Sequence, residues 1–425
     1  MPVYRKKRRN RFMSAPKKAK VRPAAKSNTN DIKMTSEKNR KVKKNPVNMK
    51  VVNGGKFERQ KRFKLLLAIV AALTILIIVL EQILPAGILK TLSNTLAIMG
   101  NGNYPIELES TDTIDVKPLG SYYYLLTNTE LSAYSNSGKK VLSYNHGFEK
   151  PVLKSSEWGA LLFNQGDNNV LVFDIKKLRD TVVTKKAVIN AEISDSGVYA
   201  IVTEEDGYAG AVTVYDKNSD EVYKWYSADE IINDVAIYPG KDKIAVSTFK
   251  VESGEYKSKV SVLEFDSATP EFTSDYSGRL IYSINSKNSS GIVVTTNNGV
   301  DFLRWKENEK YEYKNEYDTA LVRSSSNGTV AVLNRKSDPT HNKIVVLNKK
   351  GKLDYKFDFN EVVSDIFLFG GHIYCMSDTD IYVLDEKGKK IESASCGFGA
   401  VRMVVTGRNV VAVITDNKIE KIKLD

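Results

Sequence analysis

From residue 104 to the C-terminus, short apolar runs alternate with polar turns, and helical periodicity is almost absent. Stretches such as "GVYAIVTEE", "KIAVSTFK" and "GIVVTTNN" are rich in Val, Ile, Tyr and Thr, the residues that suit pleated, packed strands. Each is followed by a second apolar strand that ends in a polar turn. The pattern predicts an all-β domain built from many short strands.

The second strand and its turn return at nearly regular intervals along the chain. Its starts fall at residues 131, 170, 212, 260, 300, 344, 381 and 418, with spacings of 37 to 48 residues. Units of about 40 residues with four short strands each are typical of a β-propeller. We therefore expect a propeller over residues 104–425 with eight blades. Seven blades is the alternative, because the long 212–260 interval leaves the phase of the repeats open.

The two ends of this domain predict how the ring closes. The last unit stops after what should be its third strand, and "YPIELES", residues 104–110, directly precedes the first complete unit. If this N-terminal strand supplies the missing fourth strand of the last blade, the seam has no free sheet edge.

Residues 61–85, "KRFKLLLAIVAALTILIIVLEQILP", have the composition of a transmembrane helix. Every residue from Leu65 to Leu80 is apolar except Thr74, and about 20 apolar residues in a helix cross a ~30 Å hydrocarbon core. A buried core helix does not explain the basic flank. A cleaved signal peptide would have a shorter apolar region and a small-residue exit. We interpret the segment as an uncleaved signal anchor.

The basic charge of the chain is confined to its N-terminal part. Residues 1–64 contain 23 Lys and Arg and three acidic residues, a net charge of +20. The whole chain carries +12, so residues 65–425 carry 12 − 20, or −8. The positive-inside rule then places residues 1–60 in the cytoplasm and the C-terminal domain outside the cell. The sequence thus predicts a single-pass protein of the cell membrane with an extracytoplasmic propeller.

The segments on either side of the anchor carry little sign of a packed core. Residues 1–60 have few large apolar residues, so we expect a disordered tail that attracts anionic lipid headgroups. We expect no specific nucleic-acid binding, because the basic excess is restricted to this tail. Residues 86–103 carry an apolar stripe at helical spacing and are interpreted as a stalk. No pattern in the sequence sets the oligomeric state.

Several turns support a family resemblance. The turns "YSNSGKK", "YDKNSDE", "LNKKGKL" and "LDEKGKK" resemble the D-x-x-G-K turns of PQQ-like and WD40-like propeller repeats, and "ISDSGVYAIV" is similar to an element of TolB-type propellers. The full layout resembles an uncharacterised family of membrane-anchored, single-pass β-propellers known mainly from clostridia and other Gram-positive bacteria. This resemblance implies an architecture and a location, and it transfers no functional residues.

Few residues have the pattern of a cofactor or metal site. A quinone cofactor would require a regular tryptophan in each blade, and the chain has only Trp158, Trp225 and Trp305. The three histidines lack a second ligand at metal-binding spacing: His146, His341 and His372. "DKNSD", residues 216–220, has oxygen atoms at alternate positions but coincides with a repeat turn, and we favour the turn over a calcium loop. We expect no bound cofactor or metal and assign no catalytic residue.

The two cysteines are expected to be unpaired. Cys375 lies in a predicted second strand and Cys396 near the end of the fourth strand of the same blade. Strands two positions apart in a sheet are separated by about 9–10 Å, which exceeds the ~7 Å limit between the Cα atoms of a disulfide.

These features favour a binding or scaffold module for a protein or a cell-envelope polymer over an enzyme. The contact surfaces we expect are "FKVESGEYKSK", residues 249–259, which we interpret as the longest insertion between strands, and "RKSDPTHNK", residues 335–343. The alternative is an extracytoplasmic hydrolase of glycans or peptides with acidic residues in the central funnel. A third hypothesis is a sensor whose tail signals inside the cell.

Protease added to intact cells should digest the C-terminal region, because the predicted topology exposes it outside the membrane. An immunoblot against a C-terminal epitope measures this, with a cytoplasmic protein as the control for cell integrity. Survival of the epitope in intact cells, with digestion once the cells are opened, would contradict the topology.

Overall fold

The computed structural model describes residues 103–108, 112–238, 242–286, 291–325, 328–335, 338–385 and 387–424. No helix within these ranges is long and apolar enough to cross a membrane. The predicted anchor at 61–85 lies outside the described residues, as do the tail at 1–60 and nearly all of the stalk at 86–103.

The described strands form eight four-stranded antiparallel sheets, which are the eight blades predicted. Blades 1 to 4 consist of β2 (Thr113–Leu119), β3 (Tyr122–Thr127), β4 (Glu130–Ser135), β5 (Lys140–Asn145); β6 (Pro151–Ser155), β7 (Ala160–Asn164), β8 (Asn169–Phe173), β9 (Leu178–Val183); β10 (Val188–Ile193), β11 (Tyr199–Thr203), β12 (Gly210–Tyr215), β13 (Glu221–Ser227); and β14 (Ile231–Ile237), β15 (Lys243–Glu252), β16 (Glu255–Glu264), β17 (Phe272–Ser277).

Blades 5 to 8 repeat this arrangement, with one short 3-10 helix, η1 (Trp305–Glu307), in blade 5. Their strands are β18 (Ile281–Asn285), β19 (Ile292–Thr296), β20 (Gly299–Arg304), β21 (Glu309–Lys314); β22 (Asp318–Ser324), β23 (Val330–Arg335), β24 (Asn342–Leu347), β25 (Leu353–Phe359); β26 (Asp365–Phe369), β27 (His372–Met376), β28 (Asp380–Leu384), β29 (Lys390–Ser395); and β30 (Ala400–Gly407), β31 (Val410–Thr415), β32 (Lys418–Lys423) and β1 (Ile106–Glu107).

The core of the ring lies between the blades. The buried apolar residues form eight clusters, each of which joins one blade to the next, and the cluster of blades 8 and 1 completes the circle. The middle strands are covered on both sides, so β11 is buried along its whole length. Outer strands such as β21 alternate between exposed and half-buried positions. This explains why the middle strands are continuous apolar runs in the sequence.

Strand β1 closes the ring as predicted. It pairs antiparallel with β32, with Ile106 opposite Ile419 and Glu107 opposite Lys418, and the Leu108 N–H donates a hydrogen bond to the Asn417 carbonyl (2.8 Å). The strand is shorter than the predicted 104–110. The N-terminal segment is therefore the outer strand of blade 8, and the seven-blade alternative is wrong.

The segment also holds blade 1. Tyr104 is buried, and its hydroxyl lies 3.1 Å from the hydroxyl of Tyr123 in β3. Its ring packs so closely on the turn after β4 that a Cβ on Gly138 would lie 2.9 Å from it. The Asn103 N–H donates a hydrogen bond to the Ser137 carbonyl of the same turn (2.8 Å). Residues 103–108 thus connect both sides of the seam.

The strand order divides the ring into two faces. Because the strands of each blade alternate in direction, the links between blades and those between second and third strands lie on one face, here named the loop face. The remaining connections lie on the opposite turn face. Asn103 bonds a turn between third and fourth strands, so the chain enters the ring from the turn face.

Turns on that face follow a common design. In blade 6 the Asn348 side chain accepts hydrogen bonds from the N–H groups of Lys350 and Lys352 (3.0 and 3.2 Å). Gly351 has a φ of 77°, and a Cβ there would lie 2.0 Å from Phe302 of blade 5. Glycine is therefore required both for the left-handed backbone and for the contact between blades.

Substitution of Tyr104 by Ala should lower the free energy of unfolding by about 3–5 kcal/mol, because it leaves a cavity in the cluster that closes the ring. Urea unfolding of the full-length chain in detergent, followed by tryptophan fluorescence, measures this. Tyr208→Ala is the matched control, since Tyr208 is half exposed and its loss should change stability by only about 0.5 kcal/mol. Equal unfolding midpoints for the two variants would contradict the proposed closure.

Candidate functional site

Exposed apolar side chains are concentrated on the loop face. Of the thirteen large apolar side chains exposed among the described residues, nine lie at that end of their strands or in its loops. They are Ile114, Val183, Tyr208, Tyr226, Ile231, Val251, Tyr256, Tyr282 and Phe398. Clustered exposed apolar residues mark interaction surfaces more often than scattered ones do.

Blade 4 carries the main projection from this face. Strands β15 and β16 have ten residues each, whereas β14 pairs with β15 only as far as Phe249. β17 pairs with β16 only from Lys257 onward. The residues between these points, 250–256, extend beyond both neighbouring strands by about 10 Å, at ~3.3 Å per residue.

The hairpin is a continuation of the sheet, so the interpretation of 249–259 as an insertion between strands is wrong. Only Ser253 and Gly254 form the connection, and both have positive φ (53° and 82°), which matches the two-residue turn that follows the twist of a hairpin. The alternation of apolar and charged residues in "FKVESGEYKSK" continues the strand pattern on both sides of this turn.

One side of the hairpin is apolar. Val251 pairs with Tyr256, and Phe249, two residues before Val251, pairs with Ile231. Cross-strand partners and residues two apart point to the same side of a sheet. We name these four residues the hairpin face. They lie on the side of the sheet that faces blade 5. Ala245 and Phe249 are an even number of residues apart in β15, as are Val262 and Tyr256 in β16, so each pair shares a side of the sheet. Ala245 and Val262 pack against blade 5.

The other side of the hairpin is charged and neutralises itself. Lys250 forms ion pairs with Asp229 (3.2 Å) and Glu252 (2.8 Å), and Lys259 pairs with Glu230 (2.8 Å). Hydrogen bonds to Glu252 and Asp229 raise the pKa of Lys250. The hairpin face is therefore bordered by charges that are already paired, which resembles the polar rim around the apolar centre of a protein interface.

Blade 5 supports the surface next to the hairpin face. Arg279, in the link from blade 4, binds Asp301 through two hydrogen bonds (2.8 and 2.9 Å), and Asp301 is completely buried. Lys310 lies 4.0 Å from the ring centre of Tyr276. These contacts fix the link just before Tyr282, which exposes 55% of its surface on the loop face.

Two further apolar features lie on the same face. Tyr208 and Tyr226 of blade 3 have ring centres 4.8 Å apart. Phe398, in the link between blades 7 and 8, is 89% exposed between Gly397 and Gly399, which both have positive φ.

The inner strands carry a polar network near the axis of the ring. Lys154 of blade 2 pairs with Glu192 of blade 3 (3.2 Å), and Arg323 of blade 6 pairs with Asp365 of blade 7 (2.9 Å). Burial lowers the pKa of Lys154, but the charges of Glu192 and Asp234 outweigh it and leave the pKa raised.

Asp234 connects three blades. Its carboxylate accepts hydrogen bonds from the Asn190 amide of blade 3 (2.9 Å) and from the Ile284 N–H of blade 5 (2.9 Å). Burial raises its pKa, and the positive charge of Lys154 only partly opposes this. The network thus ties neighbouring inner strands together around the axis.

The inner strands share a backbone irregularity that sequence reasoning missed. In β2, β10, β14, β18, β22 and β30 the register with the second strand shifts by one residue near the strand start. Asp115, Asn190, Asp234, Ser283 and Arg402 each follow such a bulge directly. Bulges re-aim side chains and are frequent next to functional sites. The signal in the sequence was a polar residue within the first strand at five of these six bulges, and the exception is Leu321 in β22.

Four of the five acidic residues in the described inner strands are held by neighbouring groups. Asp115 pairs with Lys117 (2.9 Å), and the carboxylates of Glu192, Asp234 and Asp365 are held by the contacts given above. Each of these four carboxylates is bound to a cation or to hydrogen-bond donors.

The other predicted residues lie where a structural role explains them. Residues 216–220 form a turn, as predicted: Asp216 accepts hydrogen bonds from the N–H groups of Asn218 (2.8 Å) and Asp220 (3.0 Å), and Ser219 takes the left-handed position (φ 69°). Among the described residues no three His, Cys, Asp or Glu side chains cluster to hold a metal ion.

The histidines and cysteines follow the same pattern. His146 and His341 lie in loops, as predicted, and His341 is 2.8 Å from Asp338; residues 338–341 belong to the loop between β23 and β24, the second predicted contact surface. His372 begins β27. Cys375 in β27 and Cys396, just after β29, are both free, as expected, and both are buried.

The tryptophans do not form a ring. Trp158 lies in a turn of blade 2 and Trp225 in β13, and Trp305 begins η1 rather than lying in a second strand. The three are therefore spread over different parts of different blades.

Comparison with solved structures confirms the fold. BamB from Moraxella catarrhalis has a TM-score of 0.50 and 12% identity, covering 75% of this chain and 96% of that one. Dipeptidyl peptidase 4 from Porphyromonas gingivalis has a TM-score of 0.52 and 13% identity, covering 74% of this chain and 60% of that one. Identities this low establish similarity of fold alone.

A family profile matches most of the chain. The profile described as "Family of unknown function (DUF5711)" matches residues 102–424, which include every strand of the ring. Comparison with curated proteins gives no match.

The difference in unfolding stability between wild type and Asp234→Asn, here called the gap, should change with pH. The folded-state pKa of Asp234 is raised, so its contribution to stability is complete below the unfolded-state pKa of about 3.9 and is lost as the pH rises through the folded-state value. The asparagine variant lacks this loss. Unfolding midpoints between pH 4 and 7 should therefore show a gap that shifts in favour of the variant as the pH rises. A gap that stays constant with pH would contradict the raised pKa of Asp234 in the folded protein.

Proposed function

The chain belongs to DUF5711, a family of unknown function, and from this premise we propose that it is a membrane-anchored propeller that binds a protein partner through the hairpin face. The observation that carries the proposal is the hairpin itself, a two-stranded projection of blade 4 with Ile231, Val251 and Tyr256 exposed on one side.

The chemistry of the surface favours a protein over a cell-envelope polymer. Recognition of a sugar polymer typically uses flat aromatic platforms and directional hydrogen bonds, whereas the hairpin face combines aliphatic Ile231 and Val251 with Tyr256. Its charged neighbours are already paired with one another. An apolar centre with tyrosine and a polar rim is typical of protein interfaces.

The direction of the chain agrees with this role. Asn103 enters the ring from the turn face, which is the face opposite the hairpin. We propose that residues 61–85 anchor the protein with the N-terminus in the cytoplasm. The loop face is then free to meet a partner outside the membrane. The support for this topology is the apolar run and its basic flank.

A photo-crosslinking amino acid tests the docking surface. Introduced at Tyr256 in intact cells, it should give a discrete protein adduct on an immunoblot, because this side chain lies at the projecting tip. Introduced at Leu353, which is exposed to a similar extent (47% against 42%) but lies at the turn face, it should give none. Val251→Ser should weaken the adduct at Tyr256 several-fold, whereas Ile391→Ser at the turn-face end of β29 should not change it.

Two outcomes would contradict the proposal. Equal adducts from Tyr256 and Leu353 would show that the loop face is not selective. An adduct at Tyr256 that resists protease but is removed by polysaccharide hydrolases would identify a polymer as the occupant.

A further inference from the structure

A cavity of about 320 Å³ lies among the inner strands of blades 1, 5, 6, 7 and 8. It is separate from the hairpin face and plays no part in the docking role. Its volume is at the lower end of the range for small-molecule sites, about 300–1,000 Å³. Its lining combines apolar side chains, Val322, Phe367 and Met403 among them, with several polar ones.

The cavity lining contains one more basic than acidic side chain. Asp115 pairs with Lys117 (2.9 Å) and Asp365 with Arg323 (2.9 Å), so these two pairs are neutral. Arg402 is the fifth charged residue of the lining. The cavity therefore carries a net charge of one positive unit.

Arg402 retains most of its hydrogen-bonding capacity. Within the described part of the chain its guanidinium donates a hydrogen bond to the Val401 carbonyl (2.8 Å), and a guanidinium has five N–H donors. Arg402 directly follows the bulge of β30. Asp115 and Ser283, on the other sides of the cavity, follow the corresponding bulges of β2 and β18. The backbone thus presents polar side chains to this cavity from three blades.

We propose that the cavity binds a small organic anion whose carboxylate is held by Arg402 and whose apolar part packs against Val322 and Phe367. A guanidinium binds a carboxylate through two parallel hydrogen bonds. A monoanion neutralises the excess charge of the lining. A phosphate dianion would exceed it and would approach the carboxylates of Asp115 and Asp365.

Three probes of similar size test the chemistry: phenylacetate, phenyl phosphate and the neutral 2-phenylethanol. Each is added at millimolar concentration to the full-length chain in detergent. Thermal unfolding and ligand-observed NMR saturation transfer report binding, since a ligand that binds only the folded state raises the melting temperature. Phenylacetate should bind and raise the melting temperature, and the other two should have much weaker effects.

Variants locate the site. Arg402→Gln should weaken phenylacetate binding about tenfold or more, the loss expected for one charged hydrogen-bonding partner. Arg402→Lys keeps the charge and should retain part of the affinity. Arg408→Gln is the matched control, an exposed arginine after the same strand, and should bind as wild type does. The ligand-free melting temperature of each variant reports whether it folds.

Several results would overturn the proposal. These are stronger binding of phenyl phosphate than of phenylacetate, equal binding of 2-phenylethanol, absence of binding by all three probes, or unchanged phenylacetate binding in a folded Arg402→Gln variant.

Discussion

The structure depends on apolar contact between neighbouring sheets around a closed circle. A single four-stranded sheet of this size has two apolar faces and cannot bury either alone. Each blade buries one face against the blade before it and the other against the blade after it, so no blade is stable without both neighbours. The cluster that completes the last contact joins the two ends of the ring, because it packs Tyr104 and Tyr123 against Val404 and Ile414 of blade 8.

The period of the repeats and the position of the seam were predictable because each follows from this burial. A strand covered on both sides must be apolar at successive positions, and "YAIVT" in β11 shows this directly in the sequence. A unit that lacks its outer strand must obtain one elsewhere, and residues 106–107 supply it. With this strand added, all eight repeat units have four strands, and the number of blades equals the number of units.

The details of the candidate sites were less accessible. The length of the segment 249–259 predicts an insertion, whereas its alternation of apolar and charged residues and its Ser253-Gly254 turn belong to a hairpin. The position of Asp234 among three blades could not be predicted, because its partners Asn190 and Ile284 lie 44 residues before it and 50 residues after it. The sequence shows that these residues are polar, but their contacts arise only when the closed ring brings the blades together.

The repeated bulge of the inner strands has a consequence for how such a ring can change. The residue after each bulge occupies an equivalent position near the axis. At five of the six bulges this residue is polar and lies outside the apolar clusters between blades, whereas Leu321 packs against the cluster of blades 6 and 7. The five polar positions can therefore accept a new side chain without disturbing the apolar packing between blades. Asp115, Asn190, Ser283, Leu321 and Arg402 show how varied the present occupants are. Proteins that share this scaffold can thus acquire different ligand preferences at the axis through single substitutions, while the ring of blades around it stays the same.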